Sequence, residues 1–149
     1  QIKNGKTITV TDPEMTRFMM TLDHAVELVL YAFKNGKSGD IFVQKSPASK
    51  IGELANCLKT IYNSDVEIKN IGIRHAEKMH ETLLSKEEFL VAEDLGDYFK
   101  VKSDNRDLNY NKYFKEGRSN KINDEYNSFN TKRLSKKELT NLLLSIGYK

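Results

Sequence analysis

The sequence lacks the features that mark a disulfide-rich or membrane-spanning protein. Cys57 is its only cysteine, which rules out an internal disulfide framework and fits a reducing compartment, so we expect a cytoplasmic protein. No apolar run approaches the roughly 18 residues that a membrane span needs. The longest run, from Ala25 to Phe33, is interrupted by Glu27. We therefore predict no membrane partner.

A large excess of one charge is missing as well. The 24 Lys and Arg residues are offset by 21 Asp and Glu residues, so the formal net charge of the 149 residues is +3. The basic residues are interleaved with acidic ones, which is typical of a solvated surface, whereas a nucleic-acid-binding domain usually clusters them on one face. We therefore predict no nucleic-acid partner.

The histidines lack the spacing of a metal site. His75 and His80 lie five residues apart, which does not place both on one face of a helix. No cysteine lies near them, and the His-Glu-x-x-His order of a zinc-binding helix is missing. His24, in the first turn of a predicted helix, is interpreted as a surface residue. We therefore predict no metal ligands.

Residues 6–72 alternate between strand-like and helix-like patterns. β-Branched or alternating residues predict short strands, and apolar residues at helical spacing predict helices. The strands are 6–10, 40–44 and 66–71; the helices begin after Thr21 and at Ile51, and the first carries the apolar residues Leu22, Ala25, Val26, Val29 and Phe33. This order indicates an α/β or mixed α+β fold. It contains no glycine-rich phosphate loop between a strand and a helix.

Two further helices are predicted by capping boxes, in which a serine and a glutamate three residues later satisfy each other's backbone donors. The boxes are Ser85-x-x-Glu88 and Ser135-x-x-Glu138. Between them, residues 98–101 have the pattern of a short strand. Gly147 follows the last apolar residue and is expected to end the second of these helices.

Residues 103–133 differ from the rest in composition, because they are rich in Asn, Asp, Lys and Tyr and poor in aliphatic residues. We interpret them as an extended segment that follows the surface and is ordered mainly by aromatic side chains. These are Tyr110, Tyr113, Phe114, Tyr126 and Phe129. On this basis the chain divides into a domain at 1–102 and a C-terminal extension at 103–149, made of an extended arm and a short helix.

Three segments carry a resemblance to a known family. They are Thr11-Asp-Pro-Glu-Met-Thr-Arg-Phe-Met-Met20, Gly39-Asp-Ile-Phe-Val-Gln-Lys-Ser-Pro47 and Ile71-Gly-Ile-Arg-His-Ala-Glu-Lys-Met-His-Glu81. In this order they resemble the C-terminal part of the capsular polysaccharide CapD/CapE family, which are extended short-chain dehydrogenase/reductase enzymes that act on UDP-sugars. Residues 106–110 and 126–131 are similar to the tail of the CapE-like branch.

The resemblance implies that this chain is the small substrate-binding domain of such an enzyme, without its Rossmann half. That half would carry the glycine-rich NAD or NADP loop and a Tyr-x-x-x-Lys pair, so we expect no catalytic residue and no bound cofactor here. Tyr98-x-x-x-Lys102 matches the pair by spacing, but a chance match is expected in a chain rich in Tyr and Lys. Residues 1–5 resemble the last turn of a helix, with Gly5 after it, so we expect a segment before Gln1.

The resemblance also implies a binding site. Arg17 and Arg74 match arginines that contact the diphosphate, and a guanidinium suits this role because it donates two parallel hydrogen bonds and keeps its charge. Glu77 matches a position that bonds a ribose hydroxyl or steadies an arginine, and Thr7 and Thr9 match the stretch beside the uracil. From patterns alone these side chains could instead be solvated charges and ordinary strand residues.

One departure from the family pattern affects this site. The last of the three motifs is more often Arg-Pro-Gly-Glu-Lys in the family, whereas His75-Ala76 stands here in place of Pro-Gly. Arg74, Glu77 and Lys78 are kept, so the charge pattern survives. The substitution therefore affects mainly the expected conformation of the turn, and not its charges.

The implied function is a UDP-glucose 4-epimerase for surface polysaccharide synthesis, with this chain inactive by itself. Two alternatives stay open: a UDP-N-acetylglucosamine 4,6-dehydratase/5-epimerase, or a non-enzymatic module that binds phosphate groups. The expected partners are a UDP-sugar, the protein's own N-terminal Rossmann half, and further copies of the protein. Residues 103–133 could serve as an assembly arm in such a homo-oligomer.

Overall fold

A computed structural model describes residues 1–103 and 125–148 and shows a mixed α/β fold, which confirms the predicted class. Within these ranges there are four α-helices and nine short strands. The helices are α1 (Leu22–Asn35), α2 (Ile51–Ile61), α3 (Lys86–Val91) and α4 (Lys136–Ser145). The strands are β1 (Ile8–Val10), β2 (Thr16–Phe18), β3 (Ile41–Gln44), β4 (Ala48–Lys50), β5 (Ile68–Asn70), β6 (Thr82–Leu84), β7 (Glu93–Asp94), β8 (Tyr98–Val101) and β9 (Tyr126–Asn127).

The helix ends are set by local side-chain chemistry, as predicted. The Thr21 hydroxyl accepts a hydrogen bond from the backbone N–H of His24 at the start of α1. Both predicted capping boxes are formed, one before α3 and one before α4. Gly147 follows α4 with a φ of 88°, a left-handed conformation that costs glycine little because it has no Cβ.

The strands form four small sheets and not one continuous sheet. β1 pairs with β5 in parallel, and β3, β8 and β7 form an antiparallel sheet in that order. β2 pairs with β4, and β6 pairs with β9, both antiparallel. The strands β2, β4, β6, β7 and β9 were not predicted: the pairs β2–β4 and β6–β9 join segments that are distant in sequence, and β7 has only two residues.

The buried side chains form three separate clusters, each of which joins distant parts of the chain. Ile8, Val10 and Ala55 pack between β1 and α2. Cys57 of α2 packs against Leu134 and two leucines of α4. The third cluster is centred on the β3–β8 sheet, and its buried members are Val43, Leu84, Phe99, Val101 and Tyr126. No single large core is present among the described residues.

The C-terminal segment shares two of these clusters with the rest of the chain. Tyr126 of β9 is buried in the β3–β8 cluster, as its predicted ordering role requires. Phe129 is 63% exposed, so burial does not order the segment at that position. Tyr110, Tyr113 and Phe114 lie outside the described residues. The domain boundary after residue 102 stays a prediction.

Helix α1 has an uncovered apolar side. The residues that predicted the helix by their spacing do not enter a core: Leu22 is 80% exposed and Phe33 is 84% exposed. The opposite side packs on the β3–β8 sheet, where the ring of Tyr31 stacks on Tyr98 with 4.0 Å between centroids. A helix with apolar residues on both sides is usually buried on both, so α1 has one face without a neighbour in the described residues.

No helix in the described part of the chain combines the length and the apolar character that crossing a bilayer requires.

Candidate functional site

Two of the three quoted motifs meet at strand β2. The backbone N–H of Thr16 donates to the carbonyl of Met79 at 3.0 Å, which joins the first motif to the last. Arg17 lies within β2, opposite Ser49 of β4. The pairing with β4 gives Arg17 a strand conformation.

The guanidinium of Arg17 is largely turned inward, with its side chain 22% exposed. Its Nη1 donates to the carbonyl of Thr16 at 2.8 Å and to that of Met79 at 3.3 Å. The other edge faces two carboxylates at ion-pair distance: Nη2 lies 3.8 Å from Glu77 Oε1, and Nε lies 3.7 Å from Glu81 Oε1. These two distances exceed those of a hydrogen bond, and Nη2 also donates to the weak acceptor Met15 Sδ at 3.6 Å, so this edge keeps donor capacity.

The carboxylate of Glu77 connects Arg17 to the turn that carries Arg74. Its Oε1 accepts a hydrogen bond from the Thr11 hydroxyl at 3.1 Å, and its Oε2 accepts one from the backbone N–H of Arg74 at 3.3 Å. The backbone N–H of Glu77 donates to the Arg74 carbonyl at 3.1 Å and closes the turn. The contact with Arg17 and the tie to Arg74 are the geometry that an arginine-steadying glutamate needs.

Arg74 is exposed, and its guanidinium makes no ion pair or hydrogen bond with residues 1–103 or 125–148. Among the described residues its guanidinium therefore has no partner, whereas that of Arg17 has several. In the same turn, Ala76 has a φ of 64°. This is the position at which the family pattern has glycine, so the turn keeps a glycine conformation with an alanine in it.

Thr7 and Thr9 lie apart from this cluster in the hydrogen-bond pattern. Thr9 is an exposed residue of β1, and its hydroxyl accepts a hydrogen bond from the Gln1 side chain at 2.9 Å. Thr7 is exposed and precedes β1. Of the five predicted site residues, the structure therefore connects Arg17, Arg74 and Glu77. The predicted role of the two threonines beside a uracil stays a prediction.

Sequence reasoning missed a buried polar network under Arg17. The hydroxyl of Thr16 lies 2.8 Å from His80 Nδ1 and 2.6 Å from the hydroxyl of Ser128. Thr16 is 1% exposed and Ser128 is fully buried. One signal in the sequence could have found them. Each of these residues lies within a segment that carries the family resemblance, and such segments are good candidates for contact with one another.

The histidine of this network is His80, which the sequence analysis above weighs only against a metal site. In the structure its ring packs on Phe129 with 4.8 Å between centroids. Near it, hydrogen bonds from the side chains of Asn127 and Thr82 hold the pKa of Glu125 below its usual value. Within the ranges that the structure describes, no three His, Cys, Asp or Glu side chains are grouped so that they could hold a metal ion.

In the Tyr98-x-x-x-Lys102 match, each of the two side chains has a structural partner of its own. Tyr98 lies on a strand, stacked on Tyr31, and burial raises the pKa of its phenol, which opposes a role as a base. The ammonium of Lys102 forms an ion pair of 3.2 Å with the carboxylate of Glu93 on the neighbouring strand β7. This agrees with the interpretation of the spacing as a chance match.

Comparison with known proteins gives concordant results. Residues 1–103 match a family model described as polysaccharide biosynthesis protein, and residues 104–148 match one described as polysaccharide biosynthesis protein C-terminal. The chain is 54% identical to a UDP-glucose 4-epimerase of Rickettsia canadensis (strain McKiel), covering 99% of this chain and 44% of that protein. It is 53% identical to a UDP-glucose 4-epimerase of Rickettsia prowazekii (strain Madrid E), with the same coverage.

A solved structure shares the fold. The chain is similar to Pen from Bacillus thuringiensis, with a TM-score of 0.78 and 32% sequence identity. The match covers 99% of this chain and 42% of that one. The chain thus spans less than half the length of the relatives that it matches.

Proposed function

Because the chain belongs to the polysaccharide biosynthesis protein family, we propose that it is the UDP-sugar-binding C-terminal part of a nucleotide-sugar epimerase of the UDP-glucose 4-epimerase type. The full-length protein would invert the sugar at C4 and supply precursors for surface polysaccharides. Since this chain corresponds to 44% of such a relative, the activity is a property of the longer protein.

The observation that carries the proposal is the cluster of Arg17, Glu77 and Arg74. It joins two arginines that are 57 positions apart in the sequence, and it fixes one guanidinium while the other has no partner among the described residues. A nucleoside diphosphate needs such an arrangement, because an arginine fork donates parallel hydrogen bonds to phosphate oxygens and keeps its charge at all physiological pH values. Arg74 would meet the diphosphate first, and the outer edge of Arg17 would complete the cradle.

The contribution of this chain to catalysis would be positioning. Contacts to the UDP moiety, remote from the reacting sugar carbon, supply binding energy that orients the sugar in the active site. Glu77 would either keep its contact with Arg17 or turn to a ribose hydroxyl. The catalytic groups that act on the sugar would belong to the other half of the protein.

An NAD-type cofactor, NAD or NADP, belongs to the proposed full-length enzyme, but the residues described here do not fit it. Dinucleotide sites place the pyrophosphate on a glycine-rich turn between a parallel strand and a helix. In the described ranges the parallel strands are β1 and β5, and β1 is followed by Thr11, Asp12 and Pro13. We therefore assign no cofactor contact to this chain.

The test of the site is the affinity of the full-length protein for UDP after Arg74→Gln. We expect the dissociation constant to rise roughly 10-fold to 100-fold, since a hydrogen bond to a charged group contributes about 1.5–3 kcal/mol. Calorimetric titration with UDP and with uridine separates the phosphate contribution, because uridine binding should be unchanged. Lys86→Gln, an exposed cation on α3, is the matched control for net charge.

The test of the reaction is proton NMR of UDP-glucose and UDP-N-acetylglucosamine incubated with the full-length protein and NAD or NADP. Formation of the C4 epimer of either sugar supports the proposal. A 4-keto-6-deoxy product would assign the protein to the dehydratase branch instead. If neither sugar changes but UDP still binds through its phosphates, a non-enzymatic phosphate-binding module becomes the better explanation of the arginine cluster.

A further inference from the structure

We propose that Ser128, which belongs to the C-terminal segment, is a positioning residue for the arginine cluster. The inference rests on the proposed function, because it assigns Ser128 a role in UDP binding. Ser128 does not reach the ligand. It acts by holding the backbone on both sides of Arg17, so that the C-terminal segment becomes part of the binding site without touching the substrate.

Ser128 is fixed to Glu81 in both directions. Its backbone N–H donates to the Glu81 carbonyl at 2.8 Å, and its hydroxyl accepts a hydrogen bond from the Glu81 N–H at 2.9 Å. The Glu81 carboxylate in turn accepts from the N–H of Phe18 and faces Arg17 Nε. One fully buried serine therefore holds the residue whose side chain borders the outer edge of Arg17.

Ser128 is also fixed to the residue before Arg17. Its hydroxyl donates to the Thr16 carbonyl at 3.0 Å, the same oxygen that accepts a hydrogen bond from Arg17 Nη1 at 2.8 Å. Thr16 and Ser128 are 112 positions apart in the sequence, so this link depends entirely on the tertiary structure. Arg17 then faces Glu77, and Glu77 holds the N–H of Arg74. The path from Ser128 to both arginines is thus continuous.

The single proton on each hydroxyl gives this network a direction. With the Ser128 hydroxyl donating to the Thr16 carbonyl, the short contact between the two hydroxyls is a donation from Thr16 to Ser128. The Thr16 oxygen then accepts a hydrogen bond from His80 Nδ1. This direction predicts the Nδ1–H tautomer of His80, with Ser128 as the group that orders the chain of donors.

The experiment compares two variants of the full-length protein that each remove one hydroxyl from the same segment. Ser128→Ala breaks the links to Thr16 and Glu81. Thr131→Val breaks hydrogen bonds to the Ser46 carbonyl and the Tyr126 hydroxyl, and none of these groups bonds to Arg17, Arg74 or Glu77 among the described residues. We expect Ser128→Ala to raise the dissociation constant for UDP about fivefold to tenfold, and to raise KM with little change in kcat, whereas Thr131→Val should leave UDP affinity unchanged.

Equal effects of the two variants on UDP affinity, or no effect of Ser128→Ala, would overturn the proposal. If Ser128→Ala fails to fold, Ser128→Cys keeps the volume and a weak donor, and it should show a smaller rise in the dissociation constant for UDP. Wild-type affinity in a folded Ser128→Cys protein that has lost the links to Thr16 would also contradict it.

A double-mutant cycle separates this inference from the proposed function. If Ser128 acts through Arg17, Ser128→Ala should have no further effect on UDP affinity in an Arg17→Gln background. Additive effects would overturn the inference while leaving the proposed function intact. If Arg17→Gln and Arg74→Gln both bind UDP as the wild type does, the proposed function fails first, and with it the role of Ser128.

The tautomer of His80 gives a readout that a purely structural serine would not alter. At mildly alkaline pH, where free imidazole is neutral, ¹⁵N NMR of selectively histidine-labelled protein should show a protonated Nδ1 in the wild type. In Ser128→Ala the Thr16 hydroxyl loses its acceptor and should donate to His80, which moves the ring proton to Nε2. A ring that keeps its Nδ1 proton in the variant would contradict the proposed direction of the network.

Discussion

At the scale of single residues, Ala76 is one of two non-glycine residues with a positive φ in the described part of the chain. Its φ of 64° lies in the left-handed region, where the Cβ of an L-residue approaches the carbonyl oxygen. The turn is nevertheless held in this form, because Glu77 bonds Arg74 through both its backbone and its carboxylate. The backbone strain therefore lies in the turn that presents the guanidinium of Arg74.

Ala76→Gly should relieve this strain and stabilise the protein. We expect the free energy of unfolding to rise by about 0.5–1 kcal/mol, since the relief of roughly 1–2 kcal/mol is partly offset by the greater flexibility of glycine in the unfolded chain. Thermal unfolding of the full-length protein measures it. Asn63→Gly is the matched control: Asn63 has a φ of 47°, but asparagine tolerates this region, so little change is expected.

At the scale of elements, the start of α4 is stabilised by a charge that depends on pH. Glu138 accepts hydrogen bonds from the backbone N–H and the hydroxyl of Ser135, and its carboxylate lies 3.1 Å from the Lys132 ammonium. These contacts, with the backbone N–H of Ser135 first, lower the pKa of Glu138 from 4.5 to about 2. Because α4 packs on α2 through Leu139 and Leu143, the cap supports one of the three core clusters.

Since the folded-state pKa of Glu138 is the lower one, its contribution to stability is complete above pH 4.5 and is lost as the pH falls towards 2. Glu138→Gln keeps the capping-box shape but cannot ionise. We therefore expect urea unfolding of this variant to lose less stability between pH 7 and pH 3 than the wild type loses. A wild-type slope in the variant would mean that other carboxylates account for the acid sensitivity of the protein.

At the scale of the whole molecule, one apolar side of α1 has no neighbour in the described residues. Leu22, Val26, Val29, Leu30 and Phe33 form a continuous exposed stripe, while the other side of the helix packs on β3 and β8. Burial of each such side chain contributes roughly 1.5–3 kcal/mol, so the stripe is a strong interface when covered. We propose that the N-terminal half of the full-length protein covers this stripe, because the chain corresponds to only 44% of the length of such a relative.

The same substitution in two contexts tests this interface. Phe33→Ser should have little effect on the isolated chain, where the side chain is already exposed, and should destabilise the full-length protein by about 3 kcal/mol or more. Unfolding curves of both proteins with and without the substitution measure the difference. The isolated wild-type chain should also bind a hydrophobic dye more strongly than the variant does. Equal destabilisation in the two contexts would place the partner of α1 within this chain.

The homo-oligomer expected from the family resemblance is a separate matter of assembly. The part of the predicted arm that is described, residues 125–133, packs within its own chain through Tyr126 and Ser128. An assembly role would therefore fall to other residues of the 103–149 segment. Deletion of this segment from the full-length protein, followed by measurement of its mass in solution, would show whether it holds the subunits together.

The sequence by itself determined the local features of this protein. The caps at Thr21, Ser85 and Ser135 were predicted correctly, because the groups that form them lie within a few residues of one another. The strands β1, β3, β5 and β8 were predicted from the alternating or β-branched pattern of their own residues. The family was also recognisable, because motif order is a property of the linear chain. Arg17 and Arg74 were selected on that basis, and the structure shows that Glu77 connects them.

Only the tertiary structure decided how those motifs are held together. Strands as short as β2 and β9 have no stable conformation without their partners, so neither could be predicted from its own residues. The contact between Thr16 and Ser128 spans 112 residues, and no local pattern encodes it. The orientation of α1 is tertiary for the same reason: both its sides are apolar, and the choice between them depends on what packs against each.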